Sequence, residues 1–109
     1  MKTIELKPAI FPWHVDGGHA WLEVEKFYLD GTMTAKQISS FSYQSNDGTI
    51  AYLEEDCDAY IFLKAFKSQF SDITVESPRK YASGNSRSFV RSLPSYQVNP
   101  YVYPSNNPF

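Results

Sequence analysis

The residues best suited to covalent chemistry are the single cysteine and two side chains that could activate it. Cys57 is the only thiol of the 109-residue chain, and it falls at a predicted helix start, where a thiol pKa is lowered. His19 could act as the base, and Asp30 could orient its imidazole. Neighbouring carboxylates oppose this by favouring the neutral thiol. A Cys-His enzyme that uses Cys57, His19 and Asp30 is therefore an alternative hypothesis, and we expect no catalytic residue.

Those carboxylates form a run around the thiol, Glu54-Glu55-Asp56-Cys57-Asp58. Capping a helix N-terminus and complementing its dipole requires one or two acids, so the others are predicted to be solvated. A divalent cation is an alternative ligand for this run. We interpret Glu54, Glu55, Asp56 and Asp58 as an electrostatic determinant of binding.

Residue types that bind zinc also occur near the N-terminus. His14, Asp16 and His19, with Cys57 further along, supply suitable donors, but the spacing His-x4-His in a loop is not diagnostic. Local hydrogen bonds around a glycine turn account for both histidines. We therefore expect neither a metal nor a cofactor.

The last third of the chain differs in composition from the rest. Residues 77–109 carry four basic residues, no acid and five of the seven prolines. Such spacing of proline favours extended backbone, which cannot bury a face of its own. We predict a compact body over 1–76 and an extended arm over 77–109. The aromatic side chains predicted as contact anchors are Trp21, Tyr96, Tyr101 and Tyr103.

The arm could meet several surfaces. Because residues 1–76 are acidic and the arm is basic, the arm is predicted to fold back on its own body or on a second copy, giving a homo-oligomer. A further alternative is single-stranded nucleic acid, since cations and rings alternate along the arm. They are Arg79, Lys80, Tyr81, Arg87, Phe89 and Arg91. Four charges are few, so nucleic acid is not the expected partner.

Composition limits the class of protein. With 42% hydrophobic and 17% aromatic residues, a chain of this length predicts one domain with a modest core. A single cysteine excludes an intrachain disulfide. An apolar run long enough to span a bilayer is absent, and the first residues turn acidic early. We expect a cytoplasmic protein with no membrane partner.

Hydrophobic periodicity predicts an α+β fold. Residues 19–29 alternate as a strand with one solvated face, and residues 38–45 and 49–54 form a hairpin about Asn46-Asp47-Gly48. Apolar residues then recur at helical spacing from Ala59 to Phe70. The predicted fold is a small, mostly antiparallel sheet of three to five strands with one main amphipathic helix and an extended Pro/Tyr-rich C-terminal arm.

Two strings resemble known families. Gly18-His19-Ala20-Trp21-Leu22-Glu23-Val24, with residues 38–43 and 52–59, resembles a small family of phages, plasmids and their bacterial hosts that has no established activity. That resemblance implies a mobile-element protein. Residues 19–24 are also similar to the His-Ala-Trp-x-Glu-Val strand of transglutaminase-like cysteine enzymes, in which the cysteine precedes the histidine. Here Cys57 follows His19.

These observations favour a small non-enzymatic protein-binding module. We expect a phage or mobile-element accessory protein that inhibits or redirects a host protein by stoichiometric contact. Stoichiometric contact suits a chain that is small, carries separated charges and has an extended arm.

Overall fold

The computed structural model describes residues 6–84 and 86–98. The strands are Ala9–Ile10 (β1), Trp13–Val15 (β2), Ala20–Glu25 (β3), Tyr43–Gln44 (β4), Ile50–Glu54 (β5), Val75–Glu76 (β6) and Arg79–Tyr81 (β7). The α-helices are Lys26–Gly31 (α1) and Asp58–Gln69 (α2), and 3-10 turns span Ala35–Gln37 and Phe89–Ser92. No helix in these ranges is long and apolar enough to cross a membrane.

Five strands form the main sheet, in the order β4-β5-β3-β2-β7. All neighbours pair antiparallel except β2 and β7, which run parallel. β1 and β6 form a separate parallel pair. The predicted α+β class is confirmed, with a mostly antiparallel sheet and one main helix.

The predicted hairpin is β4-β5, and its turn follows from residue chemistry. Gly48 adopts φ +77°, a conformation that glycine tolerates without steric cost. The Asp47 carboxylate accepts hydrogen bonds from the Thr49 backbone and hydroxyl, which closes the turn. The first strand of the hairpin, β4, is shorter than predicted. The side chains of Ser39 and Ser42 donate to Asp58, and these residues do not extend the pairing with β5.

The main core lies between the sheet and α2. Leu22 and Val24 of β3 point to this face, as their alternation predicts, and both are buried. On α2, Phe62 and Phe66 are buried at helical spacing. The ring of Phe11 meets both edge-on, at centroid distances of 5.0 and 5.2 Å, an arrangement that favours aromatic pairs beyond their buried area.

The strand predicted over residues 19–29 is too long. It ends at Glu25, and α1 follows directly. At this junction the Lys26 ammonium turns inward and donates to Gln44 Oε1 at 2.6 Å and to the Gln97 carbonyl at 3.0 Å. These contacts come from distant parts of the chain, so tertiary packing overrides the local strand pattern.

The first part of the predicted arm packs on its own chain. The boundary predicted at residue 76 falls between β6 and β7, and β7 then joins the main sheet beside β2. Further along, Val90 is buried with Trp21 and Tyr52 on the second sheet face, and Tyr96 enters the main core. The segment to residue 98 therefore covers a sheet face that would otherwise be solvated.

Candidate functional site

A pocket of about 470 Å³ opens on the second sheet face, where β3 and β5 lie side by side. Its walls combine aromatic rings, carboxylates, one imidazole, one thiol and one guanidinium. The lining residues are His19, Trp21, Phe41, Tyr43, Glu54, Asp56, Cys57 and Arg91. We call it the acidic pocket.

Trp21 forms the floor of the acidic pocket. It pairs with Glu54 across β3 and β5, and it is only 2% exposed. The Arg91 guanidinium lies over its ring, 5.1 Å from the centroid, and the Tyr43 ring meets it edge-on at 6.0 Å. The indole predicted as a contact anchor thus lies under the arm of its own chain, and little of it is left for a partner.

Arg91 is held in place by Asp16. The Asp16 carboxylate accepts from Arg91 Nε at 2.6 Å and Nη2 at 2.9 Å, and from the Ser88 backbone at 3.0 Å. The backbones of Gly18 and His19 also donate to it. The Arg91 hydrogen bond, followed by those from the backbone, holds the Asp16 pKa far below its usual range. This junction, the Asp16–Arg91 clamp, ties the arm to the body.

The four acids around Cys57 have two different roles. Glu54 accepts from the backbones of Asp56 and Cys57 at 2.9 and 3.3 Å, and so fixes the loop before α2. Asp58 is buried, and it accepts bonds from Ser39 and Ser42. Glu55 and Asp56 are exposed.

The start of α2 uses two of the four acids: Glu54 accepts the backbone N–H groups just before the helix, and Asp58 lies in its first turn. The Cys57 position that precedes α2 makes no side-chain capping bond. The buried Asp58 carboxylate is turned toward the serines of the preceding segment, because three donors converge on its Oδ2 atom. Of the predicted electrostatic determinants, only Glu54 and Asp56 line the acidic pocket.

The candidate catalytic residues are only partly brought together. His19 and Cys57 both line the acidic pocket, whereas Asp30 lies in α1 and does not. Desolvation raises the Cys57 pKa, and Asp58 and Glu54 raise it further. The thiol donates to Asp58 Oδ1 at 3.5 Å. The thiol is therefore neutral near pH 7, and the neutral form of a thiol is not the nucleophile.

Two of the four candidate zinc donors, His14 and Asp16, have other partners. His14 and Glu23 are joined at 2.7 Å between adjacent strands, and Asp16 is engaged by Arg91. In the described part of the chain, ligand atoms of His19, Glu54 and Asp56 lie within 4.8 Å of one another. Two of the three residues, His19 and Asp56, are exposed, and exposed acidic groups are common at protein surfaces without an ion, so this group is not assigned as a metal centre.

Tyr96, predicted as an anchor for a partner, is an internal anchor. It is 5% exposed, and its hydroxyl donates to the Ala35 carbonyl at 2.7 Å. The Lys26 ammonium lies 4.9 Å from its ring centroid. Burial raises the pKa of Tyr96 to about 12. The other predicted anchors, Tyr101 and Tyr103, lie outside the described residues.

Sequence patterns missed the role of Phe41. It was expected inside a strand, but it lies within the turn that the Ser42 N–H closes on the Ser39 carbonyl, and the residue is 75% exposed at the acidic pocket. Three serines and two aromatic residues stand together at positions 39–43. This cluster is the sequence signal that could have indicated the turn.

Comparison of the chain with protein-family models, curated proteins and solved structures finds no match.

Proposed function

We propose that the protein is a small non-enzymatic module that binds another protein by stoichiometric contact, and that the acidic pocket is its contact surface. The observation that carries this proposal is that an exposed aromatic ring, Phe41, and an exposed carboxylate, Asp56, line the same pocket. Exposed aromatic side chains are enriched in protein interfaces, where they serve as anchors. The resemblance to mobile-element proteins suggests a host factor as the partner, which would be inhibited or redirected.

The charges of the pocket favour a basic partner segment. The positive charge of Arg91 is matched by Asp16, which leaves the carboxylates of Glu54 and Asp56 facing the cavity. The rings of Phe41 and Tyr43 line the same pocket. A lysine or arginine side chain would gain both a carboxylate and an aromatic contact there.

The neutral thiol supports binding over catalysis. Cys57 sits among carboxylates that raise its pKa, and Asp30 is not available to orient His19 in this pocket. A Cys-His mechanism needs the opposite electrostatics, with a cationic group stabilising the thiolate.

The test compares two pairs of substitutions that leave the buried residues intact. Phe41→Ala with Asp56→Asn removes the exposed ring and carboxylate of the pocket. Tyr60→Ala with Asp72→Asn is the matched control, because both residues are exposed elsewhere on the surface. Each tagged variant is expressed in the native host, purified, and analysed for co-purifying proteins by quantitative mass spectrometry.

We expect one protein to co-purify in near-stoichiometric amount with the wild type and the control, and to be lost with the pocket variant. The interface of that protein should include a basic segment, and replacing its lysines or arginines should abolish binding. Equal recovery of every associated protein with both variants would contradict the acidic pocket as the contact surface.

A further inference from the structure

A second cavity, of about 400 Å³, lies between β7 and the segment that follows it, away from the residues of the proposed partner site. Its wall includes the cations Lys80 and Arg87, the rings of Tyr81 and Phe89, and the hydroxyls of Ser83 and Ser86. None of the described residues that line it is acidic. We call it the basic cleft.

The two cations of the basic cleft form no ion pair within the described part of the chain. Of the arm's basic residues, Arg91 forms the clamp with Asp16. Arg87 is exposed and forms no ion pair with any residue in 6–84 or 86–98. Lys80 is also exposed, and it acts electrostatically on the Glu23 carboxylate, which His14 Nε2 contacts at 2.7 Å. Folding back of the arm therefore neutralises one cation and leaves the positive charge of the cleft facing solvent.

A rigid ring borders these cations. Phe89 packs edge-on against His14 and Tyr52, at centroid distances of 5.1 and 5.6 Å. These contacts fix the ring, yet 53% of the residue remains exposed. Tyr81, in the edge strand β7, is 70% exposed. Fixed, half-exposed rings beside cations are the elements from which single strands are bound, since bases stack on rings while phosphates meet cations.

The backbone of the cleft is also fixed. Ala82 donates to the Val15 carbonyl at 2.8 Å, and Ser86 donates to the Ser83 carbonyl at 2.9 Å. At the far end, the Ser88 backbone donates to Asp16. The hydroxyls of Ser83 and Ser86 line the same cleft as Lys80 and Arg87, and they can donate to phosphate oxygens.

We propose that the basic cleft binds single-stranded nucleic acid. Lys80 and Arg87 contact successive phosphates, and Phe89 stacks on a base between them. The ring distinguishes this ligand from a simple polyanion, and a duplex is disfavoured because its bases are already stacked on one another.

The test measures the fluorescence anisotropy of a labelled oligothymidylate over a series of salt concentrations, with the full chain. Arg87→Gln removes an exposed cation of the cleft, and Phe89→Ala removes the stacking ring. Lys64→Gln and Tyr60→Ala are the matched controls, because this exposed cation and ring lie 5.9 Å apart on α2. Thermal unfolding of each variant shows that it is folded at the assay temperature.

We expect the wild type to bind at low salt. Arg87→Gln should weaken binding and reduce the slope of log K against log salt by about 0.7, the value for one phosphate contact on a single strand. Phe89→Ala should weaken binding about tenfold at every salt concentration. The α2 variants should bind as the wild type does.

Four competitors separate this ligand from its alternatives. Unlabelled oligothymidylate should displace the probe efficiently, whereas polyphosphate, duplex DNA and AMP should do so poorly. Absence of binding at low salt would overturn the proposal, as would an equal loss in the α2 variants. Polyphosphate or AMP binding as tightly as the strand would overturn it as well, by showing that charge alone or a mononucleotide is recognised.

Discussion

Replacing Asp16 with asparagine should release the arm from the body. The Asp16 side chain is 3% exposed, and five N–H groups donate to its two oxygens. The asparagine side chain has the same shape as aspartate, but its amide has only one acceptor oxygen. Its NH₂ group would face N–H donors that the second carboxylate oxygen now accepts. Two of those donors, Arg91 Nε and the Ser88 backbone, share the Oδ2 atom.

The loss can be estimated from these contacts. Breaking a buried ion pair costs about 3–5 kcal/mol, but Arg91 is 23% exposed and regains water when the pair is broken. We therefore expect Asp16→Asn to lower the free energy of unfolding by about 2–3 kcal/mol. For a domain of this size, that corresponds to a melting temperature lower by roughly 10 °C.

Urea unfolding followed by circular dichroism measures the loss of overall stability. Tryptophan fluorescence measures the exposure of Trp21. Trp21 is 2% exposed because Arg91 and Val90 cover it. Release of the arm should therefore increase quenching of the indole by acrylamide under native conditions. Asp72→Asn, an exposed site, controls for the change in net charge.

The same contact predicts a dependence on pH. Because the Asp16 pKa is lowered in the folded state, its stabilising contribution is present above the ordinary aspartate value and is lost as the pH falls below it. The difference in unfolding free energy between wild type and Asp16→Asn should therefore be constant near neutral pH and shrink in acid. A difference below about 0.5 kcal/mol at pH 7, the range of ordinary surface substitutions, would refute this account of the clamp.

Three further predictions concern other contacts of the fold. Cys57 should react with iodoacetamide more slowly than an unstructured cysteine peptide at pH 7, because its pKa is raised. Mass spectrometry measures the rate of alkylation. Fast alkylation that His19→Ala abolishes would favour the Cys-His enzyme instead. Asp58→Ala should lower the free energy of unfolding by about 3 kcal/mol in urea, since three donors lose one buried acceptor. A decrease no greater than that caused by Asp72→Asn would contradict this prediction. Because the Tyr96 pKa is raised to about 12, stability should fall between about pH 10 and 12 as tyrosine ionises in the unfolded chain, and Tyr96→Phe should reduce that fall. Spectrophotometric titration measures the ionisation, and an unchanged fall in the variant would argue against Tyr96 as its source.

The candidate site was only partly predictable from sequence. His19, Cys57 and the acidic run were singled out by residue type, and the fold brings His19, Glu54, Asp56 and Cys57 to one pocket. Phe41 was not singled out, because its exposure depends on a turn made around Asp58. The direction of the Cys57 pKa shift was indicated by its acidic neighbours, and the fold supplies the distances at which they act.

Local sequence by itself determined the α+β class, the hairpin turn and the position of α2. These features depend on periodicity, on turn residues and on a single glycine conformation, all of which act over a few positions of the chain. Only the tertiary structure decided which face of the sheet is covered. Asp16 and Arg91 meet 75 residues apart in sequence, and their contact decides that Trp21 is buried. The role of a carboxylate or a ring in this protein depends on which distant donors and surfaces reach it, and no local pattern encodes that.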